Sequence, residues 1–176
     1  FDDFKNCVKE SVRALHEVLD EGLPLHPLEE QRESVAQWRQ IGLGIMGLAD
    51  MLMKMELTYG EEEAIQLCDE TGFAMADTAI AASAMLAKEK GAFEKCNVEE
   101  IMTTPYFEAN TSEPTRELVK KYGLRNSQLL TIAPTGTLST MLGISGGIEP
   151  VYANYYERKT ESLHGKDVYY KVYTKI

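Results

Sequence analysis

Between Glu61 and Lys90 small and apolar side chains recur along one helical stripe, at Ile65, Cys68, Gly72, Met75, Ala79, Ala82 and Leu86. That spacing predicts a single long helix. Small side chains on its stripe let neighbouring helices come close, so the helix is expected to be buried among others. Lys88 and Lys90 sit in its last turn and Gly91 follows, which together give a stop signal.

Helices are also expected on either side. Asp2 or Asp3 can cap a first helix, along which Phe4, Val8, Val12, Leu15 and Leu19 recur at helical spacing. Gly22, Pro24 and Pro27 then form a connector. A second helix is expected from about Leu28, with Glu29, Glu30 and Glu33 near its start. It runs through Trp38 towards a glycine-spaced apolar segment, Ile41 to Met55, which also reads as helix. Asn97 and Glu100 make a capping-box pattern, and Pro114 opens a short helix that ends at Gly123.

The character changes after residue 125. Ser127 to Ala133 (SQLLTIA) reads as a short buried strand, Pro134 to Ser139 as a polar turn, and Leu138 to Leu142 as the start of a helical turn. Val151 to Thr160 alternates tyrosines with polar residues, as a half-buried strand does. Leu163, His164 and Gly165 suggest a turn into a last strand, Val168 to Thr174. The expected fold class is therefore α/β and helix-rich. Residues 1–176 are expected to form one partial domain, mainly helical over 1–125 and carrying strands and a loop over 126–176. So few strands cannot close a sheet, and the chain starts Phe1-Asp2-Asp3 without Met. Both features are expected of a piece of something longer.

Composition limits the function classes. An apolar fraction of 44% with 26% charged residues is that of a soluble globular protein, and no apolar run is long enough to span a membrane. Cys7, Cys68 and Cys96 are widely spaced and form no CxxC, and the three histidines fall at no metal-ligand spacing. Reduced thiols in a cytoplasmic protein are expected. Residues 1–100 hold 21 acids against 9 bases, and residues 101–176 hold 7 against 9. The acidic part repels nucleic acid, so no direct nucleic-acid contact is expected. A small anionic ligand is better received by the C-terminal part.

Gly42-Leu43-Gly44-Ile45-Met46-Gly47 matches the dinucleotide fingerprint G-x-G-x-x-G. That motif works only where a strand feeds the first glycine and a helix leaves the last. Here QRESVAQWRQ precedes it, polar and helical in propensity. The preferred reading is a helix whose glycines admit a neighbour's backbone.

Ala133-Pro134-Thr135-Gly136-Thr137-Leu138-Ser139 carries the strongest chemical signal. A strand ends, a proline fixes the exit, and small hydroxyl residues and a glycine follow. Such a turn points N–H groups and hydroxyls outward and favours an anion. No lysine follows the glycine, so it is not a P-loop of the GxxxxGK[ST] type. In the next loop, Gly143 to Pro150, Glu149 either braces the turn or is a solvated acid, and the solvated reading is preferred.

These residues carry a family likeness. RQIGLGIMGLADML (Arg39 to Leu52) resembles a motif of ribonucleotide reductase catalytic subunits. LLTIAPTGTLS (Leu129 to Ser139) followed by GISGGIEPVYA (Gly143 to Ala153) resembles a second segment of that family. The APTGT and GGIEP variants are most similar to its adenosylcobalamin-dependent class.

The resemblance implies part of a ten-stranded α/β barrel made of two five-stranded halves. It implies that the phosphates of a ribonucleoside di- or triphosphate are held by Pro134, Thr135, Gly136, Thr137, Leu138 and Ser139. Hydroxyls of Thr135, Thr137 and Ser139 and amides of Gly136 and Leu138 would be the donors. It further implies radical replacement of the ribose 2′-hydroxyl by hydrogen, a thioredoxin-type reductant, the remainder of the barrel as a partner, and adenosylcobalamin as cofactor. The family's radical pattern N-x-C-x-E is absent from these residues. Asn6-Cys7-Val8-Lys9-Glu10 is off-register for it, so Cys7 reads as structural and the isolated chain is expected to be inactive. The competing reading is a non-catalytic helical interaction or regulatory protein that keeps the reductase scaffold.

Overall fold

In the computed structural model, residues 1–161, 165 and 167–173 are described, leaving aside the side chains of Thr160 and Glu161. Along the chain, α1 (Asp2–Gly22) is followed by a 3-10 turn (Leu23–Leu25) and α2 (Glu29–Trp38). Then come α3 (Leu48–Lys54), α4 (Glu62–Lys90), α5 (Val98–Met102), α6 (Pro105–Ala109), α7 (Glu113–Tyr122) and α8 (Gly136–Leu142). Two strands close the sequence, β1 (Tyr155–Glu161) and β2 (Asp167–Tyr173). No helix among the described residues is long and apolar enough to cross a membrane.

The chain divides into two compact units. The first contains Phe1–Leu43 and Cys68–Thr131, the second Gly44–Leu67 and Ile132–Ile176.

In the first unit α4 is the axis. Ala74, Met75, Ala76, Ala79, Ile80, Ala84, Leu86 and Ala87 are all buried, so the C-terminal part of the expected stripe is enclosed, whereas Ile65 and Gly72 at its start are exposed and Cys68 and Ala82 half-buried. Val8 and Val12 of α1 add to that core, with Phe93, Phe107, Val119, Leu124 and Leu129. Gly91 at φ +87° ends α4. Asn97 caps α5 by accepting a bond from the Glu100 amide at 3.3 Å, and Glu100 Oε2 in turn accepts from Asn97 Nδ2 at 3.4 Å. Helix α6 was not anticipated. Thr104 caps it and Pro105 opens it, but five residues are too few to show a period.

Two expectations fail in this unit. Of the expected helical segment Ile41 to Met55, only α3 (Leu48–Lys54) is helix, and residues 39–47 are not. Arg39 takes the left-handed conformation at φ 50°, and its guanidinium is buried in an ion pair with Asp20 of α1. Asn126 Nδ2 donates to the Arg39 carbonyl at 2.9 Å, and the Ser127 amide donates to the Trp38 carbonyl at 3.0 Å. These contacts capture the helix end, and the chain beyond runs extended. The Ile41 amide donates to Gln128, the Leu43 amide to Leu129, and the Thr131 amide to Leu43. This is one parallel bridge, Leu43 with Leu130, so the expected strand Ser127 to Ala133 reduces to an extended segment. Its partner offers only Ile41–Leu43, and burial stops short of Thr131. Gly42 has a close neighbour, but it is a side chain and not the expected backbone: a Cβ there would stand 3.1 Å from Thr131 Cγ2. What feeds Gly42 is α2 and the left-handed Arg39, and Gly42 itself lies inside the extended stretch. The strand-turn-helix order of a dinucleotide site is not formed.

In the second unit Leu48, Ala49, Leu52 and Ala64 are buried. Strands β1 and β2 pair antiparallel, Tyr155 opposite Tyr173 through Glu161 opposite Asp167. Tyr156, Arg158 and Val172 are half-buried on one face, while Tyr155 and Tyr173 stack on the exposed face at 6.1 Å. The expected alternation is therefore present, although the strand starts at Tyr155 rather than Val151. Of the anticipated last turn, Leu163 and His164 lie outside the described residues, as does Thr174.

Candidate functional site

The turn after Ala133 is built around an unusual residue. Thr135 sits at φ 51°, ψ 22°, a left-handed conformation that a β-branched side chain rarely adopts. Gly136 then enters the helical region as the first residue of α8. A left-handed residue followed by a right-handed one turns successive N–H groups into a shared concavity, an anion nest. The amides of Gly136, Thr137 and Leu138 have no acceptor among the described residues, and all three residues are exposed. The Thr137 hydroxyl is likewise without a partner among the described residues.

The remaining expected donors are placed differently. Thr135 Oγ1 accepts a 2.8 Å bond from the Gly147 amide, which leaves its own proton to donate. Ser139 is buried, and its amide donates to the Thr135 carbonyl at 2.8 Å. Its hydroxyl lies 3.5 Å from the Gly136 carbonyl, too far for a strong bond. Ser139 thus packs beneath the turn, facing Gly146, where an added Cβ would come within 3.4 Å of its Oγ. Pro134 is exposed at the entry to the turn.

Two elements hold the turn from outside. The loop Gly143–Pro150 lies against it so closely that a Cβ on Gly146 would stand 2.9 Å from the Pro134 carbonyl. That loop is fixed in turn by Asp50 of α3, whose Oδ2 accepts from the Ser145 amide at 2.6 Å, and by the Gly47 amide, which donates to the Ser145 carbonyl at 2.9 Å. Tyr59 donates from its hydroxyl to the Ile148 carbonyl at 2.6 Å. From β1, Arg158 Nη1 donates to the Gly136 carbonyl and to Thr140 Oγ1, both at 2.9 Å. Glu149 is exposed, so the solvated reading holds for it and the bracing acid is Asp50. Asp50, Gly147 and Arg158 were missed as site residues. The available signal for Arg158 was its parity with Tyr156 on the inward face of β1. Nothing local marked Asp50, which meets Ser145 across 95 positions.

The turn borders a cavity of about 830 Å³ within the same unit, walled by Pro134, Gly136, Ser139, Gly146, Tyr152 and Arg158 among others. Thr137 and Leu138 stand outside that wall, so the free amides lie at its rim. The Tyr152 and Tyr156 rings are 5.1 Å apart. Desolvation and the neighbouring Tyr156 raise the Tyr152 phenol above its ordinary value, so it stays protonated at neutral pH. Cys7 is exposed on α1, and Cys68 and Cys96 are half-buried free thiols. The structural reading of Cys7 thus finds no support in burial. Among the described residues no group of three or more His, Cys, Asp or Glu side chains is placed to hold a metal ion.

A family model described as the ribonucleotide reductase barrel domain matches residues 1–175. Among curated relatives, the ribonucleoside-diphosphate reductase subunit alpha of Chlamydia pneumoniae is 32% identical over 90% of this chain and 17% of its own length. The vitamin B12-dependent ribonucleoside-diphosphate reductase of Thermoplasma acidophilum is 34% identical over 96% of this chain and 19% of its own length. The subunit alpha of Helicobacter pylori is 34% identical over 92% and 23% respectively. The chain thus spans about a fifth of the length of the relatives it matches. A motif pair that meets at Ser145 and a barrel-domain match running almost end to end place it together: the chain belongs to the ribonucleotide reductase barrel-domain family.

Proposed function

We propose that this chain serves a reductase converting ribonucleotides to deoxyribonucleotides, in which the turn Pro134–Ser139 seats the substrate phosphates. The observation that carries this reading is Thr135 in a left-handed conformation beside three exposed, unpaired amides. A threonine held there costs about 1–2 kcal/mol, and strain of this kind clusters where backbone geometry serves a ligand. The nest offers the amides of Gly136, Thr137 and Leu138 and the hydroxyls of Thr135 and Thr137 to phosphate oxygens. Arg158 adds a positive charge at its edge, and Ser139 supports it from beneath.

The role is orientation. Binding energy from the phosphates, remote from the reacting ribose, fixes the sugar for chemistry performed elsewhere in the enzyme. Within these 176 residues no N-x-C-x-E occurs, so the radical cysteine and its carboxylate belong to other parts of the protein, and this chain alone is inactive. A thioredoxin-type reductant, a cytoplasmic location and the rest of the barrel as partner follow from the same reading.

Adenosylcobalamin, where the enzyme uses it, supplies the radical initiator. The APTGT and GGIEP likeness and the B12-dependent relatives support that class, and the other relatives named above carry no such name. Of the two described histidines, only His16 is placed so that it does not fit a cobalt ligand. His16 is fully buried against Asp20, and His26 stands in the connector after α1. No step is assigned to the cofactor in this chain.

The test is Gly136→Leu in the full-length protein. A Cβ at Gly136 meets nothing within 4 Å, so the fold accommodates the side chain while the approach of phosphate to the backbone is blocked. A KM for ribonucleotide raised about tenfold, with a lower kcat and an unchanged melting temperature, is expected. Wild-type kinetics in that variant overturn the assignment.

A further inference from the structure

A nest built on a strained threonine needs something to hold the strain, and the second unit contains a continuous path for this. Asp50 is buried in the first turn of α3. Its Oδ2 receives the Ser145 amide at 2.6 Å, and the Gly47 amide holds the carbonyl of the same residue at 2.9 Å. Ser145 is therefore gripped on both sides by the start of α3. Two residues further, Gly147 at φ 47° directs its amide to Thr135 Oγ1 at 2.8 Å. A Cβ on Gly147 would stand 3.0 Å from the Ala133 carbonyl, so the loop lies directly on the turn and has no freedom to swing without moving it.

We propose that Asp50 is a positioning residue for the phosphate turn, acting through Ser145 and Gly147 on Thr135. The inference rests on the phosphate reading given above. The carboxylate suits the task for two reasons. A charged acceptor makes a shorter and stronger bond to an amide than a neutral one, and the start of a helix favours negative charge. Asp50 touches no ligand in this scheme. It fixes Ser145, Ser145 fixes Gly147, and the Gly147 amide fixes the Thr135 side chain so that the following three amides converge. When this path is cut, Thr135 relaxes and only a fraction of molecules hold the competent nest, which lowers apparent affinity by that fraction.

The test uses the full-length protein with Asp50→Ala, Asp50→Asn, Thr135→Val, Thr135→Ser and the double variant Asp50→Ala/Thr135→Val. Steady-state KM and kcat for ribonucleotide and the melting temperature are measured for each. Asp50→Ala and Thr135→Val are each expected to raise KM about tenfold while kcat changes less than twofold. Asparagine and serine retain an accepting oxygen and are expected to recover most of that loss. The double variant is expected to be no worse in KM than the poorer single one, because both cut the same path. A merely structural role for Asp50 would lower the melting temperature without this coupling in KM. An unchanged KM in Asp50→Ala, or a double variant whose KM multiplies the two single effects, overturns the proposal. Should Asp50→Ala not fold, an unchanged KM in Thr135→Val overturns it instead. The Gly136→Leu variant separates the two ideas: if it raises KM while Asp50→Ala and Thr135→Val do not, the phosphate reading stands and the positioning path falls.

Discussion

Gly146→Ala adds a single methyl group at the point where the two loops of the site touch. Its Cβ would stand 2.9 Å from the Pro134 carbonyl oxygen, 3.4 Å from Ser139 Oγ and 3.7 Å from Glu149 Oε2. Comfortable contact with carbon begins at about 3.4 Å, so the backbones must separate by about half an ångström. Pro134 O is main chain and cannot rotate aside. The displacement passes to the neighbouring bond from the Gly147 amide to Thr135 Oγ1, now 2.8 Å, and stretches it towards the limit of hydrogen bonding. Losing that bond removes about 0.5–1.5 kcal/mol of support, against a left-handed threonine that costs about 1–2 kcal/mol to hold. The competent nest is then a minority state. Since 1.4 kcal/mol is a factor of ten, KM for ribonucleotide is expected to rise about five- to tenfold. Gly72→Ala is the control, because a Cβ there meets nothing within 4 Å on the exposed side of α4. Steady-state kinetics of the full-length protein give the answer. A KM for Gly146→Ala within twofold of wild type would show that the loop contact does not govern the turn.

Two further outcomes concern the first unit. Asn126 is fully buried, donates to the Arg39 carbonyl at 2.9 Å and accepts from Ser83 Oγ at 3.2 Å. Asn126→Ala strands that carbonyl and is expected to cost about 2–3 kcal/mol, read as a lower denaturant midpoint; a loss under about 1 kcal/mol contradicts the capture of the α2 end described above. His16 is buried with Nε2 3.1 Å from Asp20 and Nδ1 3.4 Å from Arg39. Desolvation lowers its pKa; Asp20 opposes that shift, while the cations Arg39, Lys90 and Arg125 add to it. Below the ordinary histidine value of about 6.5 the unfolded chain binds a proton that the folded chain refuses, so stability rises with pH through that window and levels off above it. Denaturant midpoints at pH 5.5 and 7.5 should show this slope in wild type and lose it in His16→Gln. An equal slope in both assigns the effect to other groups.

The helices were legible wherever a local rule sufficed. The stripe of α4, the cap at Asn97 and the stop at Gly91 are each decided within a few residues of sequence. The end of α2 is not. Its residues favour helix, and what stops it is Arg39 drawn to Asp20 and held by Asn126, partners 19 and 87 positions away. The strand expected at Ser127 failed for the same kind of reason: extended propensity is local, but a ladder needs a partner of matching length, and Ile41–Leu43 is short. In the site, a polar turn at Pro134 to Ser139 was readable because turn chemistry is local, whereas the burial of Ser139 beneath it was not. Which acid braces the loop was not: Glu149 reads as solvated, and Asp50, which the fold uses, lies 95 positions from the Ser145 amide it receives.

The glycines of the first motif show how a misleading string arises. Gly42 is needed because Thr131 lies where a side chain would go. Gly47 is needed because the residue before α3 takes φ 82° while its amide meets Ser145. These are separate demands, one in each compact unit, and neither involves a pyrophosphate. Their spacing happens to fall on G-x-G-x-x-G. The phosphate chemistry proposed here resides instead in a segment with a single glycine and a threonine in the strained position. A glycine at Thr135 would take the left-handed conformation without cost, but it would have no oxygen to receive the Gly147 amide. The threonine therefore makes sense only if holding the turn in one shape matters more than making it easily.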